Sequence, residues 1–250
     1  MPARSDPDSL PLGILMLNTR FPRVPGDIGN ADTFPYPVRY RVIEMATVDR
    51  IVTADGPTGP IMDAFVEAAH DLVAEGVVSL TTSCGFMAIA QQNLADRCPL
   101  PMLASSLCQV PLVQSTLPAG RRVGVITIDS RELTAAHFVG VGAPTDLPIE
   151  GVEGGEELAR VIQNDLTTLD RQRAEKDVID AGHRLLAKAP DVGAIVLECT
   201  NMAPYARALA AAIRLPVYDI IGLLAWWRRS LDPPSFGERT PAGVTSRNRG

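Results

Sequence analysis

Residues 77–104 read VVSLTTSCGFMAIAQQNLADRCPLPMLA, and residues 193–220 read GAIVLECTNMAPYARALAAAIRLPVYDI. Laid over each other with Cys84 on Cys199, Met87 falls on Met202, Ala88 on Ala203, Leu94 on Leu209 and Ala95 on Ala210. Leu100-Pro101 then meets Leu215-Pro216 without a gap. Each copy is an aliphatic run, a cysteine in a polar turn, an Ala/Leu-rich helix and, after Leu-Pro, another apolar run. That order predicts a strand–turn–helix–strand unit of a parallel sheet, with the cysteine where strand gives way to helix. Ligands of open α/β sheets bind at the carboxyl ends of strands. The repeat therefore sets one thiol at a ligand-facing edge in each half of the chain.

Working outward, LGILMLN (12–18) reads as a buried first strand, and RVGVITI (122–128) echoes it as the opening of a second half. Between the first strand and the next element lies a long Pro/Gly/Asp-rich loop, residues 19–38, carrying Arg20, Arg23, Asp27 and Asn30. A loop of that length leaving a core strand favours a functional role. YRVIEMATVDRIV (40–52) offers one or two strands. Apolar residues at 61, 62, 65, 66, 69, 72 and 73 predict a helix over 60–75. Further helices are expected over 106–115, 130–139, 155–188 with a break near Thr167, and 219–231. The fold class is thus α/β. Two similar lobes, each with a mostly parallel sheet flanked by helices, are related by a pseudo-two-fold, and the site lies in the cleft between them. The first lobe is expected to comprise 1–118 with 218–250, the second 119–217, and the polar segments 1–10 and 232–250 read as disordered tails.

Composition narrows the function. The chain has 250 residues, 46% hydrophobic and 21% charged, with a mean hydropathy of +0.10, as an ordinary globular protein has. A net charge of −6 disfavours nucleic acid or an anionic membrane as partner. No apolar run approaches the roughly 20 residues that span a bilayer, and the N-terminus lacks the form of a secretory signal. Four cysteines without C-x-x-C spacing, and three histidines (His70, His137, His183) remote from them in sequence, form neither a zinc motif nor a disulfide framework. A cytoplasmic protein with reduced thiols is expected, and no metal. The chain contains two lysines, Lys176 and Lys188, against 21 arginines. Lys176 lies in the charged run RQRAEKD and Lys188 just before Ala-Pro, poor settings for a Schiff base. No dinucleotide or P-loop fingerprint is present. The expected chemistry needs no cofactor.

A thiol at a strand-to-helix turn sits among free backbone N–H groups at the positive end of a helix dipole. That setting is expected to lower its pKa from about 8.5 toward neutrality. Cys84 and Cys199 on opposite sides of a planar carbanion match what deprotonation on one face and reprotonation on the other requires. Thr82, Ser83 and Gly85 around Cys84, and Thr200 and Asn201 after Cys199, suit an anion cradle for a carboxylate acquiring enolate character. Arg20 and Arg23 read either as bidentate partners of that carboxylate or as solvated loop residues. Asn201 reads equally as a helix cap or a substrate contact. Cys98 and Cys108 read as small buried hydrophobes, and Met87 and Met202 as core. The two tryptophans read as part of a packed terminal helix or a subunit contact.

The turns TTSCGFMA and LECTNMAP, together with VGVITIDS (123–130), resemble those of the aspartate/glutamate/hydantoin racemase superfamily, from LGILMLN to about Leu231. The resemblance implies a cofactor-independent two-base racemase or epimerase of a small amino-acid-like carboxylate, in two α/β lobes and often as a homodimer. It also implies that Asn18, Thr82, Ser83, Thr127, Thr200 and Asn201 lie around the substrate. Asn201 stands where glutamate racemases typically have histidine, and Gly85-Phe86 where they have Asn-Thr. Both thiols are present, which argues against an arylmalonate-type decarboxylase. Maleate-type cis–trans isomerisation stays open, as does a bilobal binding protein that has kept the cleft without the chemistry.

Overall fold

The computed structural model describes residues 10–231 and 233, so most of the two tails expected to be disordered lies outside the described residues. In the first lobe the order is β1 (Leu12–Leu17), β2 (Val38–Ile43), α1 (Val48–Ile51), α2 (Gly59–Ala74), β3 (Ser79–Thr82), α3 (Gln91–Arg97), β4 (Met102–Leu103) and α4 (Val110–Thr116). The second lobe runs β5 (Arg122–Thr127), α5 (Ala135–Gly140), β6 (Ile149–Gly151), α6 (Leu158–Gln163), α7 (Arg171–Lys188), β7 (Val192–Leu197), α8 (Ala206–Ile213) and β8 (Val217–Tyr218). Helix α9 (Ile220–Leu231) follows. Each lobe holds a four-stranded sheet, ordered β2-β1-β3-β4 in one and β6-β5-β7-β8 in the other. Every strand pair is parallel.

Parallel strands covered on both faces must be apolar throughout, and β1 is buried at all six positions. Helix α2 faces its sheet with Ile61, Met62, Phe65, Ala68, Ala69 and Leu72. Gly76 follows at φ +85°, the left-handed turn that lets the chain drop back into β3. Helix α9 returns to the first lobe, where Ile220, Leu223 and Leu224 pack with Leu12, Ile14 and Met16 of β1. Trp227 packs against that cluster, while Trp226 is exposed. One apolar core is continuous through both lobes, from Leu15 and Leu80 to Val196 and Leu209.

Four local expectations need correction. Residues 48–51 form a helical turn, not strand. Helix α5 begins at Ala135 rather than 130, because Thr134 and His137 make a capping box there. The segment expected as one helix over 106–115 opens with a 3₁₀ turn, Ser106–Gln109. After each cysteine the chain likewise forms a 3₁₀ segment, Gly85–Ala90 and Thr200–Tyr205, before the α-helix starts.

Candidate active site

Strands β3 and β7 occupy matching places in their sheets, and each delivers its cysteine just past its carboxyl end. Cys84 and Cys199 both take extended backbone angles as the residue preceding a 3₁₀ turn, and each is 8% exposed. They line one small cavity between the lobes, of about 20 Å³. That volume holds a single water, not a substrate. Leu17, Phe21, Val48, Val52, Phe86, Ile128 and Ile162 supply its apolar lining. Arg23, Ser83, Gly85, Glu198, Thr200 and Asn201 supply the polar part. Hydrogen bonds cross the lobe boundary at the same level. The Thr200 hydroxyl donates to the Ser83 carbonyl at 2.7 Å, and the Ser106 hydroxyl to the carbonyls of Leu197 (2.5 Å) and Glu198 (3.0 Å).

The structure does not support the expectation of thiols near neutrality. Burial pushes Cys84 up to about 12, with the charge of Glu198 adding to the rise. Backbone N–H groups of Phe86 and Met87 and the charge of Arg23 oppose it without prevailing. Cys199 is raised for the same first two reasons. The turn dipole is present, but with the cavity closed, desolvation of the thiolate outweighs it. Either thiol becomes a base only when a positive charge or a proton transfer compensates.

Of the residues expected around the substrate, Arg23, Ser83, Gly85, Thr200 and Asn201 line the cavity, whereas Asn18, Arg20, Thr82 and Thr127 do not. Asn18 donates to Glu44. Arg20 is turned outward and pairs with Asp165 of the other lobe at 2.9 Å. Thr82 ties the end of β3 to the carbonyls of Cys84 and Ala104. Thr127 donates to Glu198 Oε2 at 2.7 Å. Asn201 does not cap its own helix with its side chain. Its Nδ2 donates to Asp27 Oδ2 at 2.5 Å, and its Oδ1 accepts from the Cys199 thiol at 3.5 Å. Arg23 holds Asp27 at 3.2 Å and Thr19 at 2.8 Å, with its guanidinium carbon 4.3 Å from the Phe21 ring centre. The loop 19–38 therefore reaches the cavity through Phe21 and Arg23. Cys98 is buried in the core, and Cys108 donates to Gln91 Oε1 at 3.1 Å.

One site residue was missed in the sequence. Glu198 immediately precedes Cys199 and is 1% exposed. Its Oε2 accepts from Thr127, while Oε1 has no hydrogen-bond partner among the described residues. Burial raises its carboxyl to about 7, against the lowering bonds from Thr127 and the Ile128 N–H. The available signal was a lone acid ending an otherwise apolar strand in GAIVLEC.

Among the described residues no three His, Cys, Asp or Glu side chains are grouped to hold a metal. No described helix is long and apolar enough to cross a membrane.

No protein-family profile matches the chain. Among curated relatives, dimethylsulfoniopropionate lyase of Durusdinium sp. clade D is 28% identical, over 90% of this chain and 77% of its own. Dimethylsulfoniopropionate lyase 7 of Emiliania huxleyi is also 28% identical, over 90% of this chain and 69% of its own. Among solved structures, allantoin racemase from Klebsiella pneumoniae superposes with a TM-score of 0.62 at 18% identity, covering 89% of this chain and 87% of that one. Unliganded arylmalonate decarboxylase gives 0.57 at 16% identity, covering 93% and 96%. Glutamate racemase from Francisella tularensis gives 0.55 at 15%, covering 90% and 81%. This chain therefore has the two-lobed α/β fold of the aspartate/glutamate/hydantoin racemase superfamily.

Proposed function

We propose that the protein is a lyase that eliminates dimethyl sulfide from dimethylsulfoniopropionate, using a cleft thiol as the base. One conjunction carries this reading. Two thiols line a single apolar-walled cavity, in a chain similar over nine-tenths of its length to proteins named dimethylsulfoniopropionate lyase. The substrate is a zwitterion with a carboxylate at one end and a sulfonium two carbons away. Its sulfonium would sit against the apolar wall of Phe21, Phe86 and Ile128, and its carboxylate near Arg23 and the backbone N–H groups of the cysteine turns. The incoming cation favours a thiolate in a site whose burial otherwise suppresses one. That thiolate removes a proton from the carbon next to the carboxylate. The electron pair of the broken C–H bond becomes the C=C bond of acrylate, and dimethyl sulfide leaves with the electrons of the C–S bond. The leaving group needs no proton, so one basic thiol suffices for the chemical step.

This reading replaces the amino-acid racemisation expected from the sequence. A two-base isomerase is the second reading, favoured by the matched placement of Cys84 and Cys199 in the two sheets. The deciding experiment incubates the protein with dimethylsulfoniopropionate in D2O and follows dimethyl sulfide by gas chromatography and α-deuteration by NMR. Amino acids and hydantoins are run in parallel. Release of dimethyl sulfide that is lost in Cys84→Ser or Cys199→Ser is the expected result. Deuteration of an amino acid or hydantoin without any elimination would transfer the assignment to the isomerase.

A further inference from the structure

We propose that Glu198 is the internal proton acceptor of this site, its unpartnered Oε1 taking the Sγ proton of a cleft thiol when substrate arrives. The chemistry rests on the elimination reading above, but the placement of the carboxyl does not. Glu198 is fixed from three sides. Its N–H donates to the Ile126 carbonyl of β5 at 2.8 Å, Ser106 of the first lobe holds its carbonyl, and Thr127 holds Oε2. Those bonds leave Oε1 directed at the opposite lobe. A Cβ added at Gly85 would lie 2.2 Å from that oxygen. The carboxyl is thus pressed against the residue after Cys84 while itself preceding Cys199, and it lines the same cavity as both thiols. A buried carboxylate oxygen without a partner is rare and costly, and such groups concentrate where proton transfer is needed.

The charged and titratable groups around it are few. Cys84 faces it from the first lobe and Cys199 adjoins it. Arg23, the cation among the lining residues, is engaged by Asp27. Asp27 in turn receives Asn201. Among the described residues no histidine or lysine lines the cavity, which leaves Glu198 as the carboxylate sharing its lining with both thiols.

The transfer balances. The S–H bond breaks and an O–H bond forms, so the site keeps one negative charge while it moves from carboxylate to sulfur. The thiolate then takes the substrate's α-proton and returns to the thiol as dimethyl sulfide leaves. Converting the zwitterion to acrylate and neutral sulfide releases one proton overall. Glu198 holds that proton and gives it up to solvent as the products depart. Its titration near neutrality suits both halves of that cycle.

Glu198→Gln keeps the volume and removes the acceptor. The expected result is a kcat lower by about 10²- to 10⁴-fold with little change in KM, and loss of the limb near pH 7 over which wild-type kcat rises. Iodoacetamide labelling of Cys84, mapped by mass spectrometry across pH, needs no substrate. Its midpoint should fall in Glu198→Gln, because the carboxylate charge that raises the thiol is gone. Thr127→Val is the second variant, should Glu198→Gln not fold. It keeps the carboxyl but removes a bond that lowers its pKa, so the kcat limb moves to higher pH. Activity in Glu198→Gln within a few-fold of wild type, an unmoved Cys84 midpoint, or an unmoved limb in Thr127→Val overturns the proposal. A wild-type protein that releases no dimethyl sulfide overturns the elimination reading instead, and the labelling midpoints still test the placement of the Glu198 charge beside Cys84.

Discussion

Arg20, three residues beyond β1, grips Asp165 of the opposite lobe. Its backbone N–H reaches Oδ1 at 2.6 Å and its Nε reaches Oδ2 at 2.9 Å, while the next N–H, of Phe21, reaches Oδ1 at 3.2 Å. Asp165 holds this position at φ +48°, a left-handed conformation that aspartate tolerates better than most residues. The Arg20 side chain is 72% exposed, so the ion pair itself contributes about 0–1 kcal/mol. The N–H bonds matter more for function, because Phe21 is a wall of the thiol cavity. The contact spans the two lobes beside a cavity of about 20 Å³, so the proposed substrate would enter only if that cavity widened.

Asp165→Ala should therefore loosen the wall more than it weakens the protein. The expected outcome is a melting temperature lowered by only a few degrees, together with severalfold faster iodoacetamide labelling of Cys84 and Cys199. Unchanged labelling would mean that the Phe21 segment does not control access. Arg20→Ala, which leaves the backbone N–H bonds in place, should show a smaller effect on both measurements.

Arg23 is the loop arginine that reaches the cavity, and its fork is already committed to Asp27 and Thr19 while its face lies on Phe21. Charge-assisted hydrogen bonds to a carboxylate contribute roughly 1.5–3 kcal/mol. Arg23→Ala is expected to raise KM about 10- to 150-fold, since each 1.4 kcal/mol is a factor of ten. Arg23→Lys should not restore it, because an ammonium cannot bridge Asp27 and Thr19 while stacking on the ring. Steady-state kinetics on the two variants check this, and full rescue by lysine would reduce Arg23 to a point charge.

Gly85 makes the approach of the lobes possible. A methyl group there would sit 2.1 Å from the Glu198 carbonyl oxygen and 2.2 Å from Oε1, and the first of these is backbone held by Ser106. Overpacking a well-filled interior costs typically 1–3 kcal/mol, and in a domain of this size each kcal/mol lowers Tm by about 2–4 °C. Gly85→Ala is expected to lose activity and roughly 5 °C or more of Tm. Gly154→Ala, where an added Cβ meets nothing within 4 Å, serves as the control that should melt with the wild type. Equal melting of the two variants would count against the close approach.

The architecture was legible because it is written twice. The ungapped match through Cys84 and Cys199 located β3 and β7, and the 3.6-residue spacing from Ile61 to Leu72 located α2 to within a residue. What escaped depends on contacts between lobes, which no local pattern encodes. Thr82 reads as a cradle hydroxyl in the chain and the family resemblance adds Thr127, yet in three dimensions one closes β3 onto Ala104 and the other orients Glu198. Arg20 and Arg23 are three residues apart and alike in sequence, but only Arg23 faces inward. The thiol acidity was misjudged because a dipole argument is local, whereas desolvation depends on how tightly the lobes close.

The buried carboxyl of Glu198 should leave a signature in stability as well as catalysis. Burial raises its pKa to about 7 in the folded protein, against about 4.3 in the unfolded chain. Between those values the folded state binds a proton that the unfolded state does not, so stability falls as pH rises through that window. The stabilising protonation is fully present below pH 4.3 and is lost once pH passes about 7. The paired carboxylates have the opposite sign. Asp165, for example, is raised by burial but lowered further by its bonds from Arg20 and Phe21, ending below the ordinary range. Its contribution is present above the unfolded pKa and fades on acidification below about pH 4. From pH 5 to 8 Asp165 offers little opposition, while His137, held below its usual range by burial, opposes the trend only below about pH 6.5, and the Glu198 shift corresponds to about 4 kcal/mol. Thermal melts of the wild type should show Tm falling from pH 5.5 toward pH 8, with a flatter dependence in Glu198→Gln, whose amide does not titrate. Parallel pH profiles for the two proteins would place the titration of Glu198 outside this range.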